Sequence, residues 1–178
     1  MSDRVDNVLW EWKRRRPDLD TSSLAVVSRV LRASRLLQER LDDIAAAYGL
    51  SHQGDLDVLT DLYRADLDRG LTPTELAEAL LLTPGGMTVR LHRLQAAGLI
   101  SRTPNPHDGR GVLVRLTPAG IDLAEHALVT LLDSQATSIR SLGPGERNEL
   151  ADLLRMLLVG LGDVPAFRPP ITVERHRP

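Results

Sequence analysis

The chain contains no cysteine, and that absence removes disulfides, thiolate metal sites and cysteine nucleophiles together. Aromatic residues make up only 3% of it, which favours helices packed through aliphatic side chains over a β-sandwich. Long apolar runs are missing too. Arg and Asp interrupt every apolar patch before about 18 residues accumulate, so no segment is expected to span a membrane. The opening "MSDRVDNVLWEWKRRR" has no apolar core leading to a small-residue cleavage site, and does not read as a secretory signal. A cytoplasmic protein is the expectation, and 178 residues make one domain or a compact core with extensions.

Catalytic signatures are absent as well: there is no P-loop, no dinucleotide-binding glycine pattern, no G-x-S-x-G and no H-E-x-x-H. His52, His92, His107, His126 and His176 show no metal-ligand spacing with one another and read as surface residues. No catalytic residue, metal site or cofactor is expected, and an enzyme is the least favoured class.

What is present is unevenly distributed. The net charge is −2, but from Thr83 to Leu116 a single acidic side chain, Asp108, faces Arg90, Arg93, Arg102, Arg110 and Arg115. That window is +4 and the remainder of the chain −6. Local positive charge on an acidic body suits steering toward a polyanion, although a solvated arginine-rich face would look the same.

The motif Leu-Thr-Pro opens three segments, at Leu71, Leu82 and Leu116. Thr is a good N-cap and Pro is preferred at the first helical position, so helices are expected to start at Pro73, Pro84 and Pro118. Glu75 lies three residues after Thr72 and completes a capping box. The first helix has room to run only to about Leu81, and two helices joined so tightly form a helix-turn-helix. Between Leu99 and Leu116 the period changes: "LISRT" and "VLVRLT" alternate around the turn-rich "PNPHDGRG", which reads as a hairpin wing.

Longer amphipathic helices flank this module. One, capped by Asp20 or Thr21, carries Leu24, Val27, Leu31, Ser34, Leu37, Leu41, Ile44 and Tyr48 and stops at Gly49. Another carries Ile121, Ala124, Leu128, Leu131 and Ile139 up to Gly143-Pro144. The last carries Leu150, Leu153, Leu154, Leu157 and Leu161. Three such stripes exceed what one winged module covers, so they either bundle within the chain or are shared with a second copy. The shared arrangement is favoured, because two recognition helices one turn of DNA apart fit a palindrome.

On a helical wheel, Met87, Leu91 and Leu94 form the inward stripe of the segment after Pro84. Gly85, Val89 and His92 point outward, with Thr88 and Arg93 on the flanks. The expected contacts to double-stranded DNA are therefore Thr83, Gly85, Gly86, Thr88, Val89, His92 and Arg93, with Arg110 from the wing. Arg90 stands apart at the edge of the inward stripe, suited either to an intrachain ion pair or to sensing a ligand.

The run "LTPTELAEALLLTPGGMTVRLHRLQAAGLISRTPNPHDGRGVLVRLTPAG" resembles the MarR family of winged-helix repressors. "EWKRRRPDLDTSSLAVVSRVLRASRLL" and "LDVLTDLYRA" resemble its urate- and carboxylate-responsive branch, which adds an N-terminal helix; the likeness covers roughly residues 8–160. The resemblance implies a mainly α fold with a small β-hairpin wing, a winged helix-turn-helix plus long dimerisation helices. It implies a homodimeric repressor relieved by a small anionic effector, urate-like, aromatic or polycarboxylate. The implied ligand site is Trp12 (Trp10 as the alternative), Asp57, Arg90 and Arg102, with an Asp57–Arg102 pair clasping the wing to the body until an anion displaces it. His92 stands where the branch has Asp, and "DGRG" has one wing arginine where the branch has two. The implied organisation is N-terminal helices in 1–50, the DNA-binding module in 51–117, dimerisation helices in 118–161 and a Pro-rich extended tail in 162–178. The alternative reading is a helical dimerisation module without sequence-specific DNA binding.

Overall fold

The computed structural model describes residues 2–65, 67, 69–106 and 108–164, without the side chains of 108–110. Seven helices and one hairpin follow in order: α1 Arg4–Arg15, α2 Ser22–Ala47, α3 Gln53–Arg64, α4 Pro73–Ala79, α5 Pro84–Ala96, β1 Ile100–Asn105, β2 Asp108–Leu116, α6 Pro118–Ser138 and α7 Pro144–Gly160. Among the described residues, those up to Gln135 form one compact unit and those from Ala136 another.

Capping sets the helix starts. Asp3 accepts the backbone N–H groups of Val5 and Asp6 at 2.8 and 3.1 Å, and Asp6 returns a bond to the Asp3 N–H. Two of the orphan donors of α1 are thereby satisfied. Arg29 of α2 then holds α1 through Asp3 at 2.8 Å and Asp6 at 2.5 Å, beside the buried Val5. At the start of α2, Asp20 and not Thr21 supplies the side-chain acceptor, to Ser22 N–H at 2.9 Å.

The expected capping box of α4 is present, with Thr72 and Glu75 bonded reciprocally. The helix ends at Ala79, two residues short of the expected limit, because the chain turns at Leu81, whose φ is +51°. Thr83 then caps α5 by accepting from Gly86 N–H at 3.2 Å. In the wing, β1 and β2 pair antiparallel, Ile100 opposite Leu116, with a register shift at Pro104/Asn105. Leu71 adds a third rung by exchanging both backbone bonds with Val114.

The third Leu-Thr-Pro segment needs its glycine for close approach. A Cβ at Gly120 would lie 2.0 Å from the Leu99 carbonyl oxygen, so α6 sits against the wing only because none is there. The core of this unit joins Leu56, Val58 and Leu59 of α3 with Leu76, Met87, Leu91, Leu94, Val114, Ala124 and Ala127. Helix α3, which the periodicity argument had not singled out, contributes four of its leucines and valines at 2% exposure or less.

The α2 stripe is buried only at its C-terminal end, by Ile44 and Ala45. Val27, Leu31 and Leu37 of the same stripe remain exposed. In the second unit α7 has no buried residue; Leu153 is 56% and Met156 72% exposed.

Candidate nucleic-acid interface and anion site

Helix α5 buries Met87, Leu91 and Leu94, each 1% exposed, as the wheel expects. Its opposite face carries Gly85, Thr88, Val89, His92 and Gln95, all exposed. An added Cβ at Gly85 would meet nothing within 4 Å, which leaves the first turn of α5 open to a ligand. Gly86 is half-buried beside the Thr83 cap. Thr88 donates its hydroxyl proton to the Pro84 carbonyl oxygen at 2.9 Å.

Arg93 differs from its expected role. Its Nε and Nη2 donate to the two carboxylate oxygens of Asp55 at 3.2 and 2.7 Å, and Asp55 is 2% exposed. A fork-to-carboxylate pair of this kind is the strong geometry for an arginine. It ties α5 to the first turn of α3, so Arg93 is drawn inward from the flank position the wheel assigned. The sequence argument missed Asp55 because its partner lies 38 residues away. The available signal was the two acidic residues, Asp55 and Asp57, set among apolar neighbours in "DLDVL".

Arg90 also turns to α3. Its guanidinium lies on Gly54, where an added Cβ would sit 1.5 Å from Nη1 and 2.1 Å from Cζ. Burial raises the Asp57 carboxyl pKa overall, and the hydrogen bond from Gln53 Nε2 at 3.2 Å and the Arg90 charge only partly offset it. Asp57 is therefore a carboxylate short of compensation. Gly54, which the sequence argument did not weigh, makes the berth that places Arg90 there.

No ion pair joins Asp57 to Arg102 among the described residues, so the implied wing clasp is not formed. Arg102 sits on β1, and its Nε and Nη2 are buried without a hydrogen-bond partner. Because β1 packs on α5 and β2 on α3, Asp57, Arg90 and Arg102 come from elements that touch. Trp12 is exposed on α1, at 44%, and the polar contacts of Asp57, Arg90 and Arg102 do not include it. Trp10 is 58% exposed and stacks under Arg14, 4.7 Å from the ring centre. The side chain of Arg110, together with His107, His176 and the tail from residue 165 onward, lies outside the described residues. No group of three or more His, Cys, Asp or Glu side chains placed to hold a metal occurs among the described residues.

A recognition helix with a wing behind it is a specific arrangement, and known proteins share it. Residues 43–111 match the MarR family model. Over 150 residues the chain is 29% identical to the HTH-type transcriptional regulator PecS of Dickeya dadantii (strain 3937), spanning 84% of this chain and 90% of that one. The chain resembles the MarR family of winged helix-turn-helix transcription regulators and shares their fold. Another relative, the multiple antibiotic resistance protein MarR of Escherichia coli (strain K12), is 46% identical over 61 residues, 33% of this chain and 42% of its own. A mutant MarR from E. coli complexed with operator DNA matches with a TM-score of 0.69 at 26% identity, covering 79% of this chain and 99% of that one. The MarR-family relatives and the fold are those of transcription regulators and not of enzymes. No helix among the described residues is long and apolar enough to cross a membrane.

Proposed function

We propose that this protein is a repressor that binds palindromic operator DNA as a homodimer and lets go when a small anion binds between α3, α5 and β1. The carrying observation is Arg102, whose Nε and Nη2 are buried and without an acceptor. Burying donors unpaired is costly, on the order of 1–3 kcal/mol for each polar group, and an anionic ligand would supply the acceptors bidentately. Arg90, resting on Gly54, supplies the second cation, and Asp57 gives an acceptor for a protonated ring edge. Trp12 enters as the resemblance gives it, as an aromatic face for a ring-bearing anion.

An anion drawn to both arginines ties the recognition helix to the wing strand. Any shift between those two elements changes the spacing of half-sites across the dimer, which couples ligand to DNA. The dimer reading rests on the exposed apolar residues of α2 and of α7, which are more than isolated surface hydrophobics. A cytoplasmic place of action goes with this reading.

The test is a mobility-shift titration with the DNA flanking the protein's own gene, repeated with urate and a panel of aromatic and polycarboxylate anions. One anion should release the wild type, while Arg102→Gln keeps DNA binding and ignores it. Equal release of both proteins would remove the anion site. No DNA binding at modest salt would bring forward the dimerisation-module reading.

A further inference from the structure

We infer that the recognition helix reads its operator mainly through the methyl groups of thymines, with Val89 as the principal contact and no arginine–guanine pair. The inference rests on the DNA-binding reading above and specifies what that DNA must offer. Specific major-groove contacts are most often made by an arginine fork on a guanine edge. Helix α5 has two arginines, and both are committed to α3. Arg93 donates through Nε and Nη2 to the buried Asp55, and the Arg90 guanidinium lies against Gly54 within electrostatic reach of Asp57.

The outward face is left without an arginine, and its side-chain N–H donors are those of His92 and Gln95 toward the end of the helix. Val89 is 56% exposed although it is apolar. Thr88 has already given its hydroxyl proton to Pro84, so its methyl is what it adds. Gly85 has open space around its Cα, which allows the helix start to approach the base pairs closely. His92 and Gln95 complete the face one and two turns further along. A groove surface of this composition complements the thymine methyl, the one apolar group a base pair presents there.

The experiment uses the full chain and the duplex recovered by selection from a randomised pool. In that duplex each thymine is replaced by deoxyuridine, which deletes the methyl alone, and each guanine by 7-deazaguanine, which deletes the major-groove N7 acceptor. Removing a contacted methyl should weaken binding about fourfold, whereas 7-deazaguanine in the half-site should change it less than twofold. Val89→Ala should abolish the difference between thymine and deoxyuridine duplexes while leaving the salt dependence, which reports phosphate contacts, as in the wild type. Equal binding of thymine and deoxyuridine duplexes by the wild type would overturn the inference. So would a 7-deazaguanine loss larger than the deoxyuridine loss, because an arginine or His92 would then be reading guanine. Equal weakening of both duplexes by Val89→Ala would remove Val89 as the contact. A pool yielding no bound duplex would overturn the DNA-binding reading itself.

Discussion

The winged module and helix α7 use the same leucine-rich vocabulary and come to opposite ends. In the module Leu56, Leu59, Leu76, Leu91 and Leu94 are all at 1% exposure or below, whereas in α7 Leu150, Leu153 and Leu158 are all above 40%. Both segments show apolar residues at steps of three and four. Such spacing says that a helix has a face to bury; it does not say which surface will cover it. The module closes its core within the one chain, as α3, α4, α5, α6 and the wing converge. For α7, and for the N-terminal half of α2, the covering surface is not among the described residues of their own unit.

The largest expected effect separates these two regions directly. Leu91→Ala should cost about 2–5 kcal/mol in chemical denaturation, with the same loss at every protein concentration. A concentration-dependent loss would mean that the module core is also shared between copies. The double substitution Leu153→Asp with Leu157→Asp should leave the unfolding of the module intact. It should turn the proposed dimer into a monomer in sedimentation and weaken operator binding by about a hundredfold, as two half-sites are no longer held together. A dimer that survives both aspartates would assign that interface to other helices.

Smaller effects sharpen the contrast inside the module, between well-packed positions and the two where the backbone is special. Gly54 lies in the first turn of α3 beneath Arg90. Gly54→Ala should lower stability in the wild type, because the guanidinium has to leave. In an Arg90→Ala background the same change should raise it by about 0.4–1 kcal/mol, the ordinary gain for glycine to alanine at a compatible site. A thermal double-mutant cycle measures the difference, and additive values would mean that Gly54 does not position Arg90. The smallest effect is at Leu81, which holds φ +51° while 81% exposed. Leu81→Gly relieves a left-handed strain of about 1–2 kcal/mol but loosens the unfolded chain, for a net gain of about 0.5–1 kcal/mol. A lowered denaturation midpoint would show that the leucine side chain contributes more than its conformation costs.

The site was legible to different depths at different residues. Thr72, Thr83 and the two prolines after them announced their helices, because a cap acts on the residues beside it and needs nothing distant. Met87, Leu91 and Leu94 were legible from period alone. Arg93 was not: on a wheel it flanks the outward face, and only the fold brings the Asp55 carboxylate beneath it. Arg102 and Asp57 stand together by resemblance, yet they form no clasp: Gln53 donates to Asp57, and Arg102 Nε and Nη2 are buried without an acceptor.

By itself, then, the sequence determined the caps, the apolar stripes, the hairpin and the arginine-rich window, since each depends on interactions within a few residues along the chain. The tertiary structure decided the rest. Pairing of Asp55 with Arg93, the berth of Arg90 on Gly54, the burial of Arg102 and the burial of one end of α2 all depend on surfaces far apart in sequence. Charge and apolarity are properties of residues, but whether a charge is paired or a stripe covered depends on what the folded chain brings within a few ångströms of it.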